Sequence, residues 1–188
     1  FHGTVTNENE GDIKDGTFYG KVINKGTIEY GIFHGPVTNT TGLPYAIIKD
    51  GIFYGTVTNK DHIKGGKFYG TVTNVAPEAG EDPPVIQTGE FHGPVINGGT
   101  IWDGTFTEVT NNGTVRDGTF KGKVTNYGNI FGGTFSGDVL NTTDPENAQL
   151  VGTIKADTDS AYNEFPVFTE TSVVTNEATI LDGTFLGT

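Results

Sequence analysis

The chain has 188 residues, a net charge of −12 at pH 7 and a sequence isoelectric point near 4.5. Eleven Lys and Arg stand against 23 Asp and Glu, which disfavours binding to a phosphate backbone, so we expect no nucleic acid partner. The chain contains no Cys, which excludes disulfides and thiolate metal sites, and no apolar run approaches the roughly 20 residues of a membrane span.

Apolar residues recur with a period of about 15 residues along most of the chain. The pattern is cleanest where Phe120, Val124 and Ile130 are followed by Phe135 and Val139. A unit this short cannot bury its apolar residues alone and must stack on its neighbours. We therefore predict an all-β fold, a β-solenoid (parallel β-helix) of about eleven triangular coils with three strands each, roughly 50 Å long at the spacing of a β-sheet.

Three columns of apolar residues are predicted to fill a narrow core, while their neighbours along each strand face solvent. The Phe column runs Phe1, Phe18, Phe33, Phe53, Phe68, Phe91, Phe106, Phe120, Phe135, the irregular Phe168, and Phe185. The Val column runs Val5, Val22, Val37, Val57, Val72, Val95, Val109, Val124 and Val139. The third column runs Ile13, Ile28, Ile47 or Ile48, Ile63, Ile86, Ile101, Val115, Ile130, Ile154 and Ile180.

One Asn stands two residues after most Val positions, and these amides are predicted to form a ladder because each amide can donate to one coil and accept from another. The ladder positions are Asn24, Asn39, Asn59, Asn74, Asn97, Asn111, Asn126, Asn141 and Asn176. Asp-Gly pairs such as Asp15-Gly16 predict turns. Gly20 and Gly26 mark bends that need either a positive φ or a close backbone approach.

Extra residues interrupt the period mainly between the Asn and Ile positions, at 8–12, 40–46, 75–85 and 142–151. Insertions in solenoids form loops on one edge, which is often the binding edge. The stretch 155–171 departs from the period at a different corner. We interpret it as an irregular insertion within a single domain of residues 1–188.

Both ends of the chain lie in the same phase of the repeat, without a polar capping unit. With no Met and no signal peptide, the sequence is interpreted as a mature or internal piece. The expected partner is therefore another copy stacked end to end through uncapped coils, or the covalent continuation of a longer array.

The segments Gly16–Val22, Asn97–Ile101 and Gly118–Ile130 resemble the Gly/Thr/Asn-rich β-solenoid repeats of large surface-anchored proteins, of stalk and adhesin type, in Gram-positive gut bacteria. The resemblance covers most of the chain and carries no catalytic motif. It implies an extracellular location at the cell surface and a structural or adhesive role. Short triangular coils with outward Thr-x-Thr also resemble insect antifreeze proteins; the motif occurs at 4–6, 56–58 and 71–73, but other residues interrupt it elsewhere.

The residue after each Phe forms an exposed column that is rich in rings in the N-terminal half. Tyr19, His34, Tyr54, Tyr69 and His92 are the candidate ligand-binding residues, since exposed rings can stack on sugars or anchor a protein partner. The alternative is that these rings pack on their cross-strand neighbours.

Metal binding is weakly supported. His residues of the ring column stand two or more coils apart, roughly 10 Å, whereas the ligands of one Zn²⁺ lie within about 2.1 Å of the ion. Asp157 and Asp159 offer alternate carboxylates and are weak candidates for Ca²⁺, with a solvated acidic loop as the competing interpretation. No other cofactor is predicted.

Catalysis is not expected, because the Ser residues lie outside any Gly-x-Ser-x-Gly setting and no pair of carboxylates stands out. The leading prediction is a structural and adhesive extracellular protein, a stalk or filament segment of a bacterial surface protein. A carbohydrate-binding module using the Tyr/His column is the alternative, and an ice-binding protein is less favoured. A glycan or a host surface protein is the expected external partner. The alternative fold is a single-layer sheet of stacked hairpins, similar to MORN arrays.

Overall fold

The computed structural model describes residues 1–42, 44–147, 152–155, 166–169, 172–181 and 184–185. These residues form 28 short strands, β1 to β28 in chain order, and no helix. Each strand pairs in parallel with the equivalent strand of the next coil, as Val57–Asn59 does with Val72–Asn74. The predicted all-β solenoid is confirmed.

The strands form three faces, named after the residues they bury. The Val–Asn face contains β1 (Val5–Asn7), β4 (Val22–Asn24), β7 (Val37–Asn39), β10 (Val57–Asn59), β13 (Val72–Asn74), β15 (Glu90–Asn97), β17 (Thr105–Asn111), β20 (Val124–Asn126), β23 (Val139–Asn141) and β26 (Val174–Asn176). The Ile face contains β2 (Asp12–Ile13), β5 (Thr27–Ile28), β8 (Ile47–Ile48), β11 (His62–Ile63), β14 (Val85–Ile86), β16 (Thr100–Ile101), β18 (Thr114–Val115), β21 (Asn129–Ile130), β24 (Thr153–Ile154) and β27 (Thr179–Ile180). The Phe face contains β3 (Thr17–Phe18), β6 (Ile32–Phe33), β9 (Ile52–Phe53), β12 (Lys67–Phe68), part of β15 and β17, β19 (Thr119–Phe120), β22 (Thr134–Phe135), β25 (Val167–Phe168) and β28 (Thr184–Phe185).

Two of the faces are joined. Strands β15 and β17 run through the corner between the Phe face and the Val–Asn face, so these faces form one 18-stranded sheet beside the ten-stranded Ile face. The register between β15 and β17 shifts between Phe91 and Pro94. The shift follows from the sequence, because Val109 comes one residue earlier after Phe106 than Val95 does after Phe91.

The three apolar columns meet in one closed core. Phe rings stack along its axis with centroids 4.6 to 5.2 Å apart. Ile48 is fully buried and Ile47 is half-buried on the outer side, which settles the open choice between them. Phe168 is buried and stacks on Phe135 at 5.0 Å. A single-layer sheet is excluded, because in such a sheet the columns would not enclose a common interior.

Two kinds of glycine turn the corners. Gly16, between the Ile and Phe faces, has a φ of 138°, and its amide donates to the carboxylate of Asp15 at 2.7 Å. At Gly20 and Gly26, a Cβ would overlap backbone carbonyl oxygens of the preceding coil. Close backbone approach, not positive φ, therefore explains glycine at these last two positions.

Four connections with extra residues begin at the corner between the Val–Asn face and the Ile face, whereas the connection from β24 to β25 lies between the Ile face and the Phe face. The loops between β1 and β2, β7 and β8, β13 and β14, and β23 and β24 share this corner. Insertions thus cluster on one edge of the solenoid. Asp157 and Asp159, the weak Ca²⁺ candidates, lie outside the described residues.

Nothing in the described part of the chain is a helix long and apolar enough to cross a membrane.

Candidate functional site

The predicted ring column is present on the outside of the Phe face, and its rings lie face to face. The column consists of His2, Tyr19, His34, Tyr54, Tyr69 and His92, with successive centroids 4.8, 4.8, 5.0, 5.1 and 4.7 Å apart and planes within 16° of parallel. Parallel strand pairing produces this stacking, because each ring sits directly over its equivalent in the next coil. Each inner ring therefore has both faces covered by its neighbours.

The stacking limits what the ring column can bind. Tyr19, Tyr54 and Tyr69 are 53%, 50% and 45% exposed, and this exposed area lies at the ring edges because the faces are covered. A sugar ring needs an open aromatic face, so it cannot stack on an inner member unless two rings separate. Cross-strand packing, the alternative that the sequence left open, is the arrangement that the structure has.

Two charged residues lie beside the C-terminal end of the ring column. Lys67 Nζ lies 3.2 Å from a carboxylate oxygen of Glu90, and His92 Nε2 lies 3.7 Å from the same oxygen. The hydrogen bond to Glu90 and then its negative charge raise the pKa of Lys67 above its ordinary value. Both groups are about half exposed, so the pair contributes little to stability.

The Asn side chains form a continuous ladder inside the corner between the Val–Asn and Ile faces. Each Nδ2 donates to the Oδ1 of the next coil at 2.7 or 2.8 Å, from Asn7 through Asn24, Asn39, Asn59, Asn74, Asn97, Asn111, Asn126 and Asn141 to Asn176. Asn7 was missed by the sequence analysis, although it too stands two residues after a Val. Each Nδ2 from Asn7 to Asn141 also donates to backbone carbonyls of the corner, as Asn97 does to Gly99 and Thr114 at 3.2 Å. From Asn7 to Asn141 the ladder is buried, and it joins the corners of successive coils.

Outward Thr residues of the Val–Asn face are aligned over part of its length. Thr38, Thr58 and Thr73 pair in register, but Ile23 and Ile96 occupy the next positions on either side. The Thr rank that resembles antifreeze proteins is therefore short.

The structure also contains a cleft that the sequence analysis did not predict. The coil of Lys60–His62 has no extra residues, whereas the coils before and after it carry the loops 40–46 and 75–84. The layer missing between the two loops leaves a volume of about 310 Å³, called here the loop cleft. This volume is at the lower end of small-ligand sites.

Asp61 forms the floor of the loop cleft and stands where many coils have Gly. Its backbone carbonyl accepts from Val85, as that of Gly113, three coils further on, accepts from Asn129. The carboxylate is buried, and its Oδ2 accepts hydrogen bonds from the amides of Gly42 at 3.2 Å and Ala46 at 2.7 Å. It thereby fixes the loop 40–46 to the neighbouring coil.

The same carboxylate orients an imidazole. Asp61 Oδ1 lies 2.6 Å from His62 Nδ1, and because an ionised carboxylate only accepts, His62 donates through Nδ1. In the neutral tautomer with its proton on Nδ1, the acceptor nitrogen is Nε2. Tyr45 packs edge-on against this ring, with centroids 4.9 Å apart and planes at 64°. The sequence signal was available: two inserted coils flank one without an insertion, and that coil has Asp where Gly is common.

The Ser residues within the described ranges bond to backbone. The hydroxyl of Ser136 donates to Phe120 O at 3.3 Å, and that of Ser172 donates to Phe135 O at 2.8 Å. Over the same ranges, no three His, Cys, Asp or Glu side chains are grouped so as to hold a metal ion.

Parallel coils, a closed apolar core and a buried amide ladder place this chain in the class of parallel β-solenoids. Comparison with protein-family models, curated proteins and solved structures finds no match to it. Its function is therefore inferred from the geometry of the solenoid, the ring column and the loop cleft.

Proposed function

We propose that this chain is a rigid structural and adhesive segment of an extracellular bacterial surface protein, a stalk or filament segment whose loops make contacts with other molecules. The observation that carries the proposal is the axial continuity of the bonding. Strand ladders, the Phe stack and the Asn ladder all join one coil to the next along the same axis. Bending the solenoid would break several of these rows at once, so it suits a load-bearing spacer.

Composition and charge support an extracellular location. A chain without Cys or Met lacks the two side chains that are most readily oxidised. The net charge of −12 keeps long rods apart in solution. The resemblance of the repeats to bacterial surface proteins points to the same location.

Stacking with a further coil is the second part of this proposal. Phe1 covers Phe18 with one ring face at 4.8 Å, yet it remains 66% exposed. The first coil also has a strand edge that faces away from β4. A coil of a longer array or of a second copy would cover this ring and pair with this edge.

The shape of the particle tests the proposal. Small-angle scattering and electron microscopy are expected to show straight rods about 50 Å long for one chain, from the coil spacing of a β-sheet. Rods in multiples of this length at higher protein concentration would support stacking between copies. A strongly bent or compact particle would contradict the stalk role.

A further inference from the structure

We propose that the loop cleft binds the guanidinium group of an arginine side chain presented by a partner peptide or protein. This site adds a specific contact to the solenoid and does not depend on its role as a stalk. The shape of the cleft, the charge of its rim and the orientation of its floor each support the assignment.

The shape of the loop cleft selects a flat group. The cleft takes the place of one missing loop layer between two inserted coils, so its width is set by a coil spacing of about 4.8 Å. The lining includes Tyr45 from the loop of the preceding coil, and Pro77 and Pro83 from the loop of the following coil. A guanidinium is planar and stacks on ring surfaces, whereas an ammonium has no flat face.

The rim of the loop cleft carries negative charge without partners of opposite sign. Glu78, Glu81 and Asp82 line it and are exposed. Within the described ranges, none of the salt bridges involves these three carboxylates. Lys60 supplies one positive charge against them. The excess of carboxylates therefore favours a cationic ligand, and the acidic chain adds long-range attraction.

The floor of the loop cleft offers an oriented acceptor. Both carboxylate oxygens of Asp61 are engaged, by the amides of Gly42 and Ala46 and by His62 Nδ1. His62 is half-buried, and its Nε2 is left to accept a hydrogen bond. A guanidinium has five N–H donors in a fixed fork and can bond a rim carboxylate and this imidazole together.

The first test is titration of the full chain with three capped pentapeptides, Gly-Gly-X-Gly-Gly, where X is arginine, lysine or citrulline. Calorimetry and the NMR shifts of His62 report binding. The arginine peptide is expected to bind about tenfold more tightly than the citrulline peptide, which has the same shape without the charge. Lysine should be intermediate. Raising NaCl from about 20 mM to about 0.5 M should weaken binding several-fold.

Variants then locate the site. The double change Glu78→Gln and Asp82→Asn should weaken arginine binding about tenfold, and Tyr45→Leu should weaken it several-fold. Matched controls are Glu108→Gln with Asp138→Asn, which removes the same charge from another corner, and Tyr30→Leu, which removes another exposed ring. Both controls should bind like the unaltered chain, and all variants should unfold at the same temperature.

Several results would overturn the assignment. Equal binding of the arginine and citrulline peptides, or no binding at millimolar peptide, would exclude a guanidinium site. Equal losses in the rim variant and its charge-matched control would mean that only the overall charge of the chain acts. Salt-independent retention of a neutral oligosaccharide, lost in Tyr45→Leu, would assign the cleft to a glycan. None of these results bears on the length of the rod, so the stalk proposal is tested separately.

Discussion

The Asn ladder and the ring column run through the same coils with the same spacing, one inside the solenoid and one outside. Asn24 to Asn141 are almost entirely buried, and each amide from Asn24 to Asn126 has hydrogen-bond partners in the next coil and in its own corner. The rings are about half exposed and stack on one another, and His92 also lies 3.7 Å from Glu90. The two rows have the same period, but substitution of one residue should lower the free energy of unfolding more in the buried row than in the exposed row.

The largest contrast is expected between Phe91 and His92, which are neighbours in sequence and face opposite ways. Phe91 is 1% exposed and stacks between Phe68 and Phe106 at 4.8 and 4.9 Å. Phe91→Ala should lower the free energy of unfolding by about 4 kcal/mol, since it removes a ring and leaves a cavity. His92→Ala, its control, should cost less than about 1 kcal/mol. Urea unfolding followed by circular dichroism measures both, and similar losses would contradict the difference between inside and outside.

Removal of one rung of the ladder should have the next largest effect. Asn97 donates to Asn111 and accepts from Asn74, so Asn97→Ala leaves buried amide groups without partners. The expected loss is about 3 kcal/mol. Asn129→Ala, an exposed Asn on the Ile face, should change stability by less than about 0.5 kcal/mol. A small loss at Asn97 would mean that water or backbone groups replace the missing rung.

Substitution of a corner glycine should have an intermediate effect on stability. A Cβ at Gly128 would overlap the carbonyl oxygen of Gly113 in the preceding coil, so Gly128→Ala should cost about 2 kcal/mol through displaced backbone. For the unstacked chain, Gly3→Ala is the matched change, because a Cβ there has no neighbour within 4 Å. Thermal unfolding of the two variants distinguishes close approach from a general preference for glycine in this chain.

The ring column itself should show a smaller effect. Tyr54 stacks on His34 and Tyr69 at 5.0 and 5.1 Å, and Tyr54→Ala should cost about 1 kcal/mol. A double-mutant cycle with Tyr69→Ala isolates the ring contact from the other effects of each change. A coupling energy near zero would mean that the stacking reflects only strand register.

The smallest effect concerns the exposed ion pair beside the column. Glu90 raises the pKa of Lys67, so the pair's contribution is present below the ordinary lysine pKa and is lost as the pH rises through the folded value. Glu90→Gln should return the pKa of Lys67 toward its ordinary value in an NMR titration, with little change in stability. Glu108→Gln is the matched neutral control and should leave Lys67 unaltered.

Much of the fold was predictable because each coil repeats the same pattern of residue types. Phe, Val and Ile recur at fixed positions, and the amide two residues after Val recurs with them, so each amide can bond to its equivalents in the neighbouring coils. The choice between Ile47 and Ile48 was open from sequence, since both are apolar and only the side-chain direction in the paired strand separates them.

The loop cleft depended on contacts between coils. Asp in place of the common Gly was a local signal at Asp61, but it does not show that Asp61 is buried or that Tyr45 lines a cavity, because their partners lie about 15 residues or more away. The exposed surface of the ring column likewise could not be predicted from the sequence. Its rings were identifiable from sequence, but whether their faces were open or stacked was decided by strand register. The sequence by itself determined the repeat, the inward columns and the Asn positions, which follow from periodicity. Only the tertiary structure decided which surfaces remain open, because openness depends on what the neighbouring coils place beside each residue.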